Sequence, residues 1–171
     1  LIYISLMVYY GIIDAMHVLL GHNFGAQRID RVKAFMRIAA ISIATLSIVL
    51  VATLHVFESL IIGFFLEDGA EQSRQLAQNF LHIIWPIFLF NGFNVLICAY
   101  LTSVEQAVHS SIIAMLRSLV LPIGFVLLLS MMFPYVHFLY AVPVAEALAF
   151  VFALIFFVNY RPALLIKKFF E

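Results

Sequence analysis

The sequence predicts an all-α, polytopic membrane bundle of about five transmembrane helices. Three observations carry that prediction. First, hydrophobic residues make up 65% of the 171 and charged residues 11%, with a mean hydropathy of +1.13. Soluble domains carry about 45–50% apolar and about 25% charged residues. Second, five long apolar runs, near 1–20, 34–65, 77–101, 111–133 and 137–158, are separated by short polar connections. Each run supplies the roughly 20 residues that a hydrocarbon core about 30 Å thick demands of a helix. Third, the basic residues fall in alternate connections. There is no low-complexity linker and no second soluble domain, so residues 1–171 read as one transmembrane unit.

The first run, Leu1 to Leu20, has no charged flank before it and is not a signal peptide. The chain begins without Met, which reads as an interior point of a longer protein. Gly21, Asn23 and Gly25 are expected to stop this helix, and the Gly21–Gly25 spacing reads as a turn rather than a packing face. A basic helical start follows, with Arg28, Arg31, Lys33 and Arg37. The second run climbs to Phe65. Asp68 and Glu71 have capping-box spacing, so a new helix is expected there. It feeds the third run, in which Pro86 removes a backbone donor and predicts a kink. The fourth run holds Arg117 and Pro122. The fifth starts near Pro143, holds Glu146 and ends at Asn159-Tyr160-Arg161-Pro162.

Orientation follows from lysine and arginine placement. Arg28, Arg31, Lys33, Arg37, Arg117, Arg161, Lys167 and Lys168 share one side, and Arg74 alone falls on the other. That side is assigned to the cytoplasm. It places the 21–37 loop and the C-terminus inside, in a multi-pass protein of the inner or plasma membrane.

Nine basic and nine acidic residues balance, which gives no electrostatic footprint for nucleic acid. Phosphate-cradling, zinc-protease and nucleophile-elbow motifs are absent, and the six histidines are scattered. The chain is therefore read as no enzyme, with no metal site and no cofactor. The single Cys98 excludes an intramolecular disulfide.

The polar groups within the spans are the remaining candidates, because a charge at mid-bilayer costs about 2.5–3.5 kcal/mol on insertion scales. Asp14 and His17 lie three apart on one helix face, as a structural pair or as a proton or cation relay. His55 and Glu58 repeat the spacing near the opposite interface, where snorkelling is expected. Asn91 and Asn94, continued by Cys98 and Thr102, form a polar stripe that suits either interhelical hydrogen bonding or a cavity wall. Trp85 and Phe88 suit packing, lipid contact or a cation–π surface. Arg117 is expected to pair with Glu105, helix-end carbonyls or headgroups. Glu146 sits among Ala145, Ala147, Ala149 and Ala153, whose small size predicts that it faces the bundle. A structural glutamic acid and a functional one both fit.

Several stretches resemble the MATE (multidrug and toxic compound extrusion) transporters. Asn23-Phe24-Gly25-Ala26 followed by Arg31-Val32-Lys33 is similar to a loop pattern after the second helix of each lobe. Tyr100-Leu101 and Leu116-Arg117 match the tenth-to-eleventh helix region, and Pro143, Ala145 and Glu146 match the start of the last helix. The likeness spans essentially the whole chain, and the damage-inducible branch is the more similar. It implies helices eight to twelve of a twelve-helix protein, hence a partial C-terminal lobe whose N-terminal lobe is missing here. It implies efflux of small organic, often cationic, compounds by alternating access, in exchange for H⁺ or Na⁺ and without ATP. Asn91, Asn94, Asp14 and Glu146 are the substrate- or cavity-lining candidates. The carboxylate that Na⁺-coupled members carry on the tenth helix falls at Asn91, a departure that points to H⁺ coupling through the first lobe. Two alternatives stand beside this: a lipid-linked oligosaccharide flippase of related architecture, and a non-transporting truncated fragment. The lipid bilayer is a partner in every case.

Overall fold

A computed structural model describes residues 2–65, 71–132 and 138–165. Every element among them is helical: α1 (Ile2–Gly25), α2 (Ile29–Val56), α3 (Glu58–Phe65), α4 (Glu71–Ile84), α5 (Ile87–Ser103), α6 (Ala107–Met115), a π-helical turn (Leu116–Val120), α7 (Leu121–Met132), a 3₁₀ turn (Phe138–Tyr140) and α8 (Ala141–Asn159). The stretches Ile29–Val56, Ala107–Met132 and Phe138–Asn159 are each long and apolar enough to cross a membrane, and α4 with α5 makes a fourth if that bent pair is one span. The first run also becomes a helix of 24 residues, whose second half carries Asp14, His17, His22 and Asn23. Asp68, Lys167 and Lys168 lie outside the described residues.

α5 is the central helix and packs against α1, α2, α6 and α8. Its buried residues run nearly all round it, from Ile87 and Phe88 to Tyr100 and Leu101, as a helix enclosed by neighbours requires. α2 buries only a stripe, Val32, Met36, Ala39, Ile43, Ser47 and Leu54, and leaves apolar Ile38, Ile41, Ile48 and Val49 exposed. That outer face suits hydrocarbon. The α1–α2–α5 crossing closes on Gly92, where a Cβ would sit 2.7 Å from Ile43 Cγ2 and 3.0 Å from the Tyr9 ring. Above it the Tyr9 hydroxyl donates to the Phe88 carbonyl at 3.0 Å and lies 2.9 Å from Ser47 Oγ. The buried ring thus ties three helices together with one polar atom.

The kink expected at Pro86 is present: α4 and α5 meet at 46° across Trp85–Pro86. Other boundaries differ from expectation. α1 does not stop at Gly21. It runs to Gly25 and ends on Gln27 at φ 57°, with Arg28 N–H bonded back to Asn23 O at 2.9 Å. That is a Schellman closure with a glutamine where glycine is usual, and Gly21 lies inside the helix, facing the Ser103 carbonyl. Glu105, at φ 63°, closes α5 the same way through Gln106 N–H to Leu101 O. The second run is not one helix either. It breaks at Phe57, so Glu58 opens α3, where its charge meets the positive end of the helix dipole.

Candidate functional site

The strongest polar assembly lies where α5, α8 and the π-helical turn meet. On α8, Ala145, Ala149 and Ala153 are fully buried at four-residue intervals, and they let α8 lie close against α5. Glu146, next on that face, is turned into the bundle with 7% of its surface exposed, as the alanines predict. Asn91 and Asn94 project from α5 toward it, three residues apart and so on one face. Asn91 Nδ2 donates to Glu146 Oε1 at 3.0 Å, and Asn94 Nδ2 donates to Oε2 at 2.7 Å and to the Glu146 main-chain oxygen at 3.1 Å. Arg117 Nε lies 3.8 Å from Oε1, an ion pair without a direct hydrogen bond.

Both carboxylate oxygens accept from amide N–H groups, the pattern of an ionised carboxylate. The Arg117 cation offsets a charge that would cost several kcal/mol alone in so dry a setting. The amide oxygens Asn91 Oδ1 and Asn94 Oδ1 are buried with no hydrogen-bond partner among the described residues. Such groups are costly to leave empty. They give the assembly two idle acceptors beside a carboxylate.

The π-helical turn brings Arg117 here. Pro122, at the start of α7, has no N–H to offer the preceding turn. The chain widens by one residue, and Leu121 N–H bonds back five positions to Leu116 O. Widened turns of this kind recur at functional sites. The stripe then continues down α5: Ser110 Oγ on α6 donates to the Cys98 carbonyl at 2.9 Å, Thr102 Oγ1 lies 2.9 Å from Ser110 Oγ, and Cys98 Sγ faces the Ser110 carbonyl at 3.7 Å.

Asn91, Asn94 and Glu146 are therefore brought together, and Asp14 is not. Asp14 is exposed on α1 and has no hydrogen bond or ion pair among the described residues. The expected Asp14–His17 pair gives way to a contact with α5: His17 Nδ1 lies 2.9 Å from Ser103 Oγ. Arg117 pairs with Glu146, not with Glu105: Glu105 closes a helix end, while Glu146 is the buried carboxylate beside Arg117 among the described residues. His55 and Glu58 do not pair with each other either: Glu58 accepts from His82 Nε2 at 3.1 Å. Phe88 is packed inside the bundle at 1% exposure, and Trp85 lies edge-on to His55 at 5.7 Å.

Sequence reading missed Arg117 as Glu146's partner. The signal was there: an acid and a base within adjacent spans must offset each other in lipid. It also missed Tyr9 and Ser47, for which the sequence gives no such sign. A depression of about 420 Å³ lies elsewhere, lined by Gln27, Arg28, Ile29, Asp30, Arg31 and Lys33, and holds none of the predicted site residues. Among the described residues no cluster of His, Cys, Asp or Glu is placed to hold a metal ion.

Comparison with curated proteins and with solved structures gave no match. The MatE family model matches residues 1–128, which takes in α1 to α6, the π-helical turn and most of α7, and so Asn91, Asn94 and Arg117. With three-quarters of its length matched and several of its helices long and apolar enough to cross a bilayer, this multi-pass membrane protein belongs to the MatE family of transporters.

Proposed function

We propose that the chain is the C-terminal lobe of a secondary transporter that exports small organic cations in exchange for H⁺, by alternating access with an N-terminal lobe. The observation that carries the proposal is Glu146 clasped by Asn91 and Asn94, with Arg117 as its counter-ion. The resemblance aligned Asn91 with a carboxylate of Na⁺-coupled relatives. Glu146, reaching across from α8, supplies a carboxylate at that same place. The proton step is thus placed in this lobe, at Glu146, where the resemblance alone pointed to the first lobe. A proton on Oε1 or Oε2 removes the charge that holds Arg117. One asparagine turns its amide over and presents its idle Oδ1 to the new O–H. Arg117, no longer neutralised, must then leave the dry interior or find another anion. Deprotonation reverses each move. Binding energy of this kind biases two states only through its difference between them, and Glu146 with and without Arg117 provides such a difference.

Placement in the damage-inducible branch, the plasma membrane, and a cytoplasmic 21–37 loop rests on the sequence motifs and on the distribution of basic residues. The lipid-linked oligosaccharide alternative needs free cations facing a cavity. Arg117, the basic residue inside the polar assembly, is committed to Glu146, which favours the organic-cation reading.

The test is ethidium efflux from vesicles of the protein with its upstream helices, under an imposed ΔpH or ΔNa⁺. Efflux driven by ΔpH and abolished in Glu146→Gln, with normal insertion, supports the proposal. Efflux driven equally well in Glu146→Gln and Asn91→Ala removes the site. Efflux driven by ΔNa⁺ alone replaces the proton.

A further inference from the structure

A second titratable cluster lies at the opposite end of α2 from the Arg28–Arg37 loop, where two helix breaks meet. One break is Phe57, between α2 and α3; the other is the 46° bend at Trp85–Pro86, between α4 and α5. His82, one turn before the bend, donates from Nε2 to Glu58 Oε2 at 3.1 Å. Its ring stacks on His55 at a centroid distance of 6.3 Å, and His55 meets the edge of Trp85 at 5.7 Å. His55 Nδ1 is occupied by the Val51 carbonyl at 3.0 Å. Glu58 Oε1 is buried with no hydrogen-bond partner among the described residues.

The geometry points to a proton-operated clamp: protonation of His82 tightens its bond to Glu58, pins α3 to α4, and so fixes the angle at which α5 leaves the Pro86 bend. Because Glu58 accepts, His82 already carries its proton on Nε2; a second proton at Nδ1 makes the imidazole a cation and turns the hydrogen bond into an ion pair with the same carboxylate, a tighter contact. Histidine is the side chain whose charge ordinarily changes between about pH 5 and 8. Among the described residues the neighbouring elements bring few other titratable groups. α3 carries Glu58 as its one titratable side chain. α2 presents His55, stacked on His82 and bonded through Nδ1 to the Val51 carbonyl. α4 itself adds Glu71, and Arg74 against Gly63; the 3₁₀ turn adds Tyr140; and α8 contributes Glu146, already held by its asparagines. The clamp is tight at low pH and loosens as pH rises. Since α5 carries Asn91 and Asn94 beyond the bend, the two clusters grip opposite sides of one hinge, yet this inference stands without the transport proposal.

Spin labels at Leu60 and Asn79, both exposed, in a Cys98→Ala background and in lipid nanodiscs, read the α3–α4 distance directly. The expected result is an approximately fivefold rise in the ratio of short to long distances from about pH 8 to about pH 5.5. His82→Gln and Glu58→Gln lose the response and remain broad, whereas His82→Lys, with a permanent charge, stays short at both pH values. A wild-type distribution that does not change with pH overturns the clamp, as does a response that survives in His82→Gln or a His82→Lys variant that still responds.

Discussion

Asn94 holds Glu146 at two points, giving one amide N–H₂ to the side-chain Oε2 at 2.7 Å and to the main-chain oxygen at 3.1 Å. The same residue therefore fixes the rotamer of a buried acid and the register of α8 on α5. Replacing it with leucine removes both bonds and leaves one carboxylate oxygen dry and unpaired. Hydrogen bonds to charged groups contribute about 1.5–3 kcal/mol, so Asn94→Leu is expected to destabilise by that order. Glu146→Leu also strips Asn91 Nδ2 and Arg117 of their partner, so Asn94→Leu/Glu146→Leu should stay destabilised but lose less than the two single losses combined. Thermal unfolding in detergent of the four corners of this cycle measures it; equal losses that simply add would mean the two residues are not coupled.

Gly92 admits no side chain. Ile43 Cγ2 and the Tyr9 ring lie where a Cβ would go, and overpacking of this kind costs about 1–3 kcal/mol. Gly92→Ala is expected to lower the melting temperature, and Ile43→Ala in the same chain to restore part of it. A Gly92→Ala variant as stable as the parent would show that the α1–α2–α5 crossing is looser than described.

Tyr9→Phe keeps the ring and deletes the hydroxyl that joins Ser47 to the Phe88 carbonyl. A net loss near 1 kcal/mol is the ordinary value for such a bond, and Ser47→Ala added to Tyr9→Phe should cost little more. A full second penalty from Ser47→Ala would place the serine's partner elsewhere.

Pro86→Ala returns an N–H to the chain, and the carbonyl one turn back, on His82, is its natural acceptor. The bend of 46° should narrow, read as a longer distance between spin labels on α4 and the far end of α5. An unchanged distance would assign the bend to the packing of α4 against α3 rather than to the proline.

Much of this was legible in the chain. Apolar run lengths give helices, the alanine stripe around Glu146 tells which way that residue faces, and Pro86 marks the bend. The failures share a cause. Sequence spacing finds neighbours on one helix, so it paired Asp14 with His17 and His55 with Glu58, whereas the structure pairs His17 with Ser103 and Glu58 with His82. Contacts between helices depend on crossing geometry that periodicity does not encode. Turn chemistry at α1 was legible in part: of Gly21, Asn23 and Gly25, the helix stops at Gly25. Gly21 looks like a stop, yet the helix passes through it to Gly25, and Gln27 takes the left-handed position. The π-helical turn had a visible cause in Pro122, but the insertion it produces, and the partner it gives Arg117, follow only from the packed helices.

In the proposed transport step Glu146 takes up a proton and lets Arg117 go. Infrared difference spectroscopy of the protein in lipid, acidified stepwise, observes that event as a protonated carboxyl band. The expected band is present in the wild type, absent in Glu146→Gln, and shifted in frequency when Asn94→Leu removes a bonding partner. A band unaltered in Glu146→Gln would contradict that step.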